Sequence, residues 1–97
     1  IVLDPKRSDC NYPYKELSGC GVGFKLLQGL CVENDWNQNE LIGFLDLLAI
    51  SIGADIVPVT GENRILCFHG MKQLNDHPRP AFVELLKIEI QNRCWID

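Results

Sequence analysis

Between residues 26 and 63 the chain has no lysine or arginine, although six carboxylates fall in that stretch. The absence removes an internal basic groove of the kind that follows a nucleic-acid backbone. A net charge of −4 likewise argues against capture of nucleic acid by bulk charge. Carboxylates without basic neighbours are solvated, find partners elsewhere in the fold, or hold a cation. The five cysteines (Cys10, Cys20, Cys31, Cys67 and Cys94) are odd in number and include no CxxC pair. Neither a zinc pattern nor a disulfide framework follows, and free thiols in a reducing cytoplasm are expected. No signal-peptide pattern is visible. The longest apolar run, Leu41–Val59, is broken by Asp46 and Asp55. Each would cost about 2.5–3.5 kcal/mol near a bilayer centre, which excludes a membrane span.

Aromatics and histidines are sparse as well. Trp36 and Trp95 stand alone and offer no stacking platform for bases. His69 and His77 lie eight apart with no acidic or thiol ligands at metal spacing, as packed or solvated histidines do. No Ser-His-Asp or Cys-His arrangement can be argued from spacing.

What is present is a small apolar chain with helical periodicity. Its 97 residues, 46% of them hydrophobic, suffice for one core. The chain opens at Ile1 rather than Met and closes in a mixed tail, so a cut piece of a larger protein is expected. Ile1-Val2-Leu3 reads as the end of a buried strand that turns at Asp4-Pro5. Residues 4–15 read as loop, with Tyr12-Pro13-Tyr14 as a rigid turn. Ser18 caps a predicted helix over 19–31, with Val22, Leu26, Leu27 and Leu30 on its inner face. After a polar connection, Asn37 or Asn39 caps a second helix running to about Ile52, apolar almost all round and therefore central. Gly53 and Pro58 break the pattern. Thr60 caps a third helix ending near Asn75–Pro78, and Pro80 starts a fourth through about Lys87. Ile88 and Ile90 suggest a short strand or a fraying end. The expected fold is mainly α: about four helices and one short N-terminal strand.

Two features invite chemistry. Gly19-Cys20-Gly21-Val22-Gly23 has glycines at alternate positions, but no strand precedes it and the spacing is not that of a phosphate loop. It reads better as a helix start where missing side chains admit another backbone. Asp55 lies in the apolar run Ile50–Val59 with no base nearby in sequence. A buried, unpaired carboxylate costs several kcal/mol, so it needs a reason. It either caps the next turn or pairs with Arg64, or else it presents an oxygen to a hard cation such as Mg²⁺ or Mn²⁺. Residue physics leaves both open.

Three ordered blocks resemble a known family. Tyr12–Leu26 (YPYKELSGCGVGFKL) is similar to the segment that follows the DHH motif in RecJ exonucleases of the DHH phosphoesterase family. Asp46–Arg64 (DLLAISIGADIVPVTGENR) and Gly70–Asn75 (GMKQLN) with Arg79-Pro80 resemble its next two blocks. The resemblance implies that residues 1–97 form a single partial domain, the C-terminal helical part of an α/β DHH catalytic domain. It implies that Asp55 is a ligand of a two-metal Mn²⁺ or Mg²⁺ site, and that Gly19, Gly21 and Gly23 let a helix start pack closely under that site. Single-stranded DNA, degraded from its 5′ end in repair and recombination, is the implied substrate. The family's D-x-D, its middle aspartate, the DHH triplet and the following DHHA1 domain have no counterpart here. Ala81 replaces a family glycine, and the match ends after Leu86. Another DHH-family oligonucleotide or cyclic-dinucleotide phosphodiesterase is the alternative within the family. A helical interaction module without chemistry is the alternative outside it.

Overall fold

The computed structural model describes residues 2–93, and their side chains through Ile88. Cys94 and Trp95 lie outside the described residues, as does Ile1. Five helices follow one another: α1 Gly19–Glu33, α2 Asn39–Ile42, α3 Leu45–Asp55, α4 Gly61–Asp76 and α5 Pro80–Arg93. Among the described residues there is no strand. The expected strand is not formed at Val2 and Leu3, which are both largely exposed. Residues 88–93 continue α5 instead of forming a strand or fraying.

α1 begins as its sequence dictates. Ser18 is extended and buried, and its Oγ accepts the Gly21 N–H at 3.1 Å. That bond satisfies one of the free donors of the first turn. The helix stops where Asp35 turns left-handed (φ 55°) and the Trp36 N–H reaches back to the Cys31 carbonyl at 2.8 Å. Of the expected inner face only Val22 packs against the core. Gly21, Phe24 and Cys31 point inward, whereas Leu26, Leu27 and Leu30 are exposed. Three positions separate Gly21 from Phe24 and seven separate Phe24 from Cys31, so these residues share a helical stripe.

The single helix expected from about residue 39 to Ile52 is broken at Gly43-Phe44. Both partners of the missing turn are satisfied by side chains. The Leu47 N–H donates to Asp46 Oδ1 at 2.8 Å, and the Gly43 carbonyl accepts from Gln73 Nε2 and Arg79 Nη2, each at 2.8 Å. Distant side chains thus replace a local backbone bond, which local periodicity does not reveal.

α3 is central as expected, though not buried all round. Leu45, Leu48, Ala49 and Ile52 face inward and join Leu17, Phe24, Cys31, Leu41 and Leu66 in the core. Phe44, Leu47 and Ile50 are exposed. Full burial of each such aliphatic side chain contributes about 1.5–3 kcal/mol. α4 lies tightly against α3 at Gly70. A Cβ there would overlap the Leu45 carbonyl oxygen and come 2.7 Å from Ala49 Cβ. Only glycine permits this approach.

Candidate functional site

Asp55 is the last residue of α3. The structure corrects the expectation of burial: its side chain is exposed. Among the described residues it makes no ion pair, with Arg64 or any other base, and it caps no following turn. Its hydrogen bond is a long one, from Ser51 Oγ to Oδ2 at 3.4 Å. Ile56 directly after it is left-handed (φ 53°, ψ 40°) and 90% exposed. Gly53 does not break the helix, which runs on two residues further before this turn.

The connection from Val57 to Thr60 is held from outside. Asn63, completely buried at 0% exposure, donates through Nδ2 to the Pro58 carbonyl at 3.0 Å and the Glu16 carbonyl at 2.6 Å. The Tyr14 hydroxyl reaches the Thr60 carbonyl at 2.8 Å, Thr60 Oγ1 at 3.0 Å and the Pro58 carbonyl at 3.4 Å. Thr60 is the N-cap of α4 as expected, but its hydroxyl faces Tyr14 and makes no capping bond. Gly61 follows at φ +48°, with the Tyr14 ring where a side chain would stand.

A second link lies beside it. Tyr12 donates to Glu62 Oε1 at 2.5 Å, and Lys25 Nζ lies 2.8 Å from Glu62 Oε2. Burial would push the Glu62 carboxyl up, but hydrogen bonds from Lys25 and Tyr12 and the Lys25 charge outweigh it. The carboxyl lies below its ordinary value. Burial, then the bond to Glu62 and its charge, push the Tyr12 hydroxyl up to about 12.

The glycines at the start of α1 are placed differently from one another. A Cβ at Gly19 or Gly23 would meet nothing within 4 Å, so no neighbour approaches closely there among the described residues. At Gly21 a Cβ would lie 3.3 Å from Ser18 Oγ, the cap of its own helix. His69 is exposed and meets the Phe68 ring edge-on at 5.3 Å, and His77 is the exposed C-cap of α4. Neither joins a ligand set. Among the described residues no three His, Cys, Asp or Glu side chains gather as metal ligands.

No family model matches the chain, and no solved structure does. Curated sequences do. The chain is 41% identical over 87 residues to the single-stranded-DNA-specific exonuclease RecJ of Bacillus subtilis, covering 90% of this chain. It is 36% identical over 102 residues to the protein of that name in Escherichia coli and 34% identical to that in Salmonella typhimurium, covering 95% of this chain in both. The chain is a RecJ-like segment. It spans 10% of the length of the B. subtilis relative and 17% of the other two.

Two buried polar residues of the RecJ-like segment carry structure that sequence reasoning did not assign. Asp46 (0% exposed) pairs with Arg79, and Asn63 ties three segments together. Both stand inside the quoted family blocks, which was the one signal available for them. Their partners lie 33 and 47 positions away, beyond the reach of local pattern. No helix among the described residues is long and apolar enough to cross a membrane.

Proposed function

We propose that the segment is part of a metal-dependent exonuclease that degrades single-stranded DNA from the 5′ end, with Asp55 giving an oxygen to one of two divalent cations, Mn²⁺ or Mg²⁺. Similarity to RecJ proteins along nearly the whole chain supports the activity. The observation that carries Asp55's part is its open carboxylate: exposed, unpaired with any base among the described residues, and placed at a helix end before the turn that follows. Carboxylate oxygens are what hard cations prefer. A cation pair supplies charge to hold the scissile phosphate, activate water and stabilise the leaving oxygen. Within this chain Asp55 binds, and the end of α3 orients it. One carboxylate fits one ligand position and does not complete a site, so residues 1–97 alone are inactive under this proposal. The complete enzyme serves DNA repair and recombination in the cytoplasm.

The test is Asp55→Asn in the complete enzyme, which keeps size and loses charge. Exonuclease turnover on 5′-phosphorylated single-stranded DNA should collapse. The melting temperature without metal should be unchanged or slightly raised, because no salt bridge is broken. A destabilised but active variant would show that Asp55 is not a ligand. EDTA-sensitive turnover by residues 1–97 alone would show that the site is not shared with other segments.

A further inference from the structure

We infer that Tyr14 and Asn63 are positioning residues, bracing the α3–α4 connection so that Asp55 is held at a defined place. The inference rests on the proposal that Asp55 is a metal ligand. It starts from Ile56. A β-branched residue at φ 53° is a backbone outlier, since Cβ crowds the following carbonyl and glycine or asparagine ordinarily fills this place. Burial does not compensate, because the side chain is 90% exposed. A strained turn persists only when its surroundings over-determine it.

The surroundings that do so begin two residues later. Pro58 presents its carbonyl to Asn63 Nδ2 at 3.0 Å, and Thr60 presents its carbonyl to the Tyr14 hydroxyl at 2.8 Å. Asn63 is anchored through its second Nδ2 bond, to the Glu16 carbonyl, so residues 14–16 and the connection move as one body. The far end is pinned as well. Gly61 sits at φ +48° under the Tyr14 ring, where a Cβ would come within 2.7 Å of the ring. Between the pinned end and α3 lie only Ile56 and Val57, and Val57 is itself packed against the core. The clamp therefore sets where α3 stops, and with it the carboxylate one position before the turn. Neither Tyr14 nor Asn63 touches Asp55, so each acts through the backbone.

Removing a group bonded directly to a ligating side chain typically changes metal affinity 10- to 100-fold, and Tyr14 and Asn63, one step further out, fall toward the lower end. The test measures Mn²⁺ binding to the complete enzyme by electron paramagnetic resonance of the free ion. Tyr14→Phe keeps the ring over Gly61 and loses only the hydroxyl. It should weaken Mn²⁺ binding about 10-fold and leave KM for single-stranded DNA unchanged. Asn63→Ala should do the same more strongly, and Tyr14→Phe carries the test if the alanine variant does not fold. A merely structural role would lower the melting temperature and leave the Mn²⁺ dissociation constant alone. In the complete enzyme, Tyr14→Phe should also speed amide exchange about 10-fold at 57–60 and not in the interior of α4. Unchanged exchange there overturns the clamp. If Asp55→Asn weakens Mn²⁺ binding and Tyr14→Phe does not, positioning is wrong and the ligand stands. If Asp55→Asn binds Mn²⁺ normally, the ligand proposal fails and the positioning claim fails with it.

Discussion

The carboxylate of Asp46, wholly removed from solvent, is held by the guanidinium of Arg79, with Nε 2.6 Å from Oδ2 and Nη2 3.2 Å from Oδ1. Here is the buried acid and distant base that the sequence suggested for Asp55 and Arg64. Arg79 also bonds the Gly43 carbonyl, so one side chain stabilises the helix break and the buried charge together. The hydrogen bond and charge of Asp46 hold the guanidinium's pKa above its ordinary value. Arg79→Met strands the carboxylate and should lower the melting temperature by at least several degrees. Lys87→Met, which removes an exposed pair with Glu84, should leave it within about a degree. Parallel thermal melts of both variants check the contrast, and equal effects would show that burial of Asp46 does not matter.

Gly70→Ala should be among the most damaging single-methyl additions to this chain. The added carbon meets the Leu45 carbonyl and Ala49 Cβ, both on α3, so neither can swing aside like a flexible side chain. Overpacking of this kind costs about 3 kcal/mol or more, a drop on the order of 10–20 °C for a domain of this size. Gly23→Ala is the control, because its added carbon meets nothing and alanine favours helix. Its melting temperature should stay the same or rise.

The Tyr12–Glu62–Lys25 link makes stability depend on pH at both ends of the scale. The Glu62 pKa is depressed in the folded state. Its contribution is present above the ordinary value of 4.5 and is lost as pH falls through the lower folded value. The Tyr12 pKa is raised, so its contribution is complete below 10.0 and is lost as pH rises toward about 12. Tyr12→Phe should remove the alkaline part of the loss, and Glu62→Gln should flatten the acid part. Melting curves at matched pH, each variant subtracted from the parent chain, read both effects. Acid and alkaline limbs identical to the parent would mean the link carries no net stability.

The four described cysteines are free, and they differ in access. Cys20 is exposed and Cys31 is buried in the core. Native alkylation should modify Cys20 first and Cys31 only on unfolding, while denaturing alkylation should add five labels by intact mass. A lower count without reductant would reveal a disulfide and overturn the expectation of free thiols.

Helix starts were legible where a residue acts on its own neighbourhood. Ser18 before α1, Thr60 before α4 and Pro80 at the head of α5 are all local signals. The stop near Asn75–Pro78 was legible for the same reason. The break at Gly43 was hidden because Gln73 and Arg79 make it from the next helix and beyond. The inner face of α1 was misjudged because its leucines outnumber Phe24 and Cys31, and periodicity counts residues without knowing what covers them. At the candidate site, the family blocks singled out Asp55. Its exposure was concealed by the apolar residues around it, of which Ile56 and Val59 themselves lie largely in solvent.

Residues 2–18 contain no helix and no strand, and a stretch like that is the usual first choice for trimming. Here it carries Tyr12, Tyr14 and the Glu16 carbonyl, which together grip the α3–α4 connection and the first turns of α4 some fifty positions downstream. A chain shortened to begin at Leu17 would keep all five helices on paper. It would leave Asn63 with a buried donor facing nothing, Gly61 without its lid and Glu62 without its phenol. This irregular segment acts as a strap, and limited proteolysis within it should loosen the α3–α4 connection before the interior of α3 or α4.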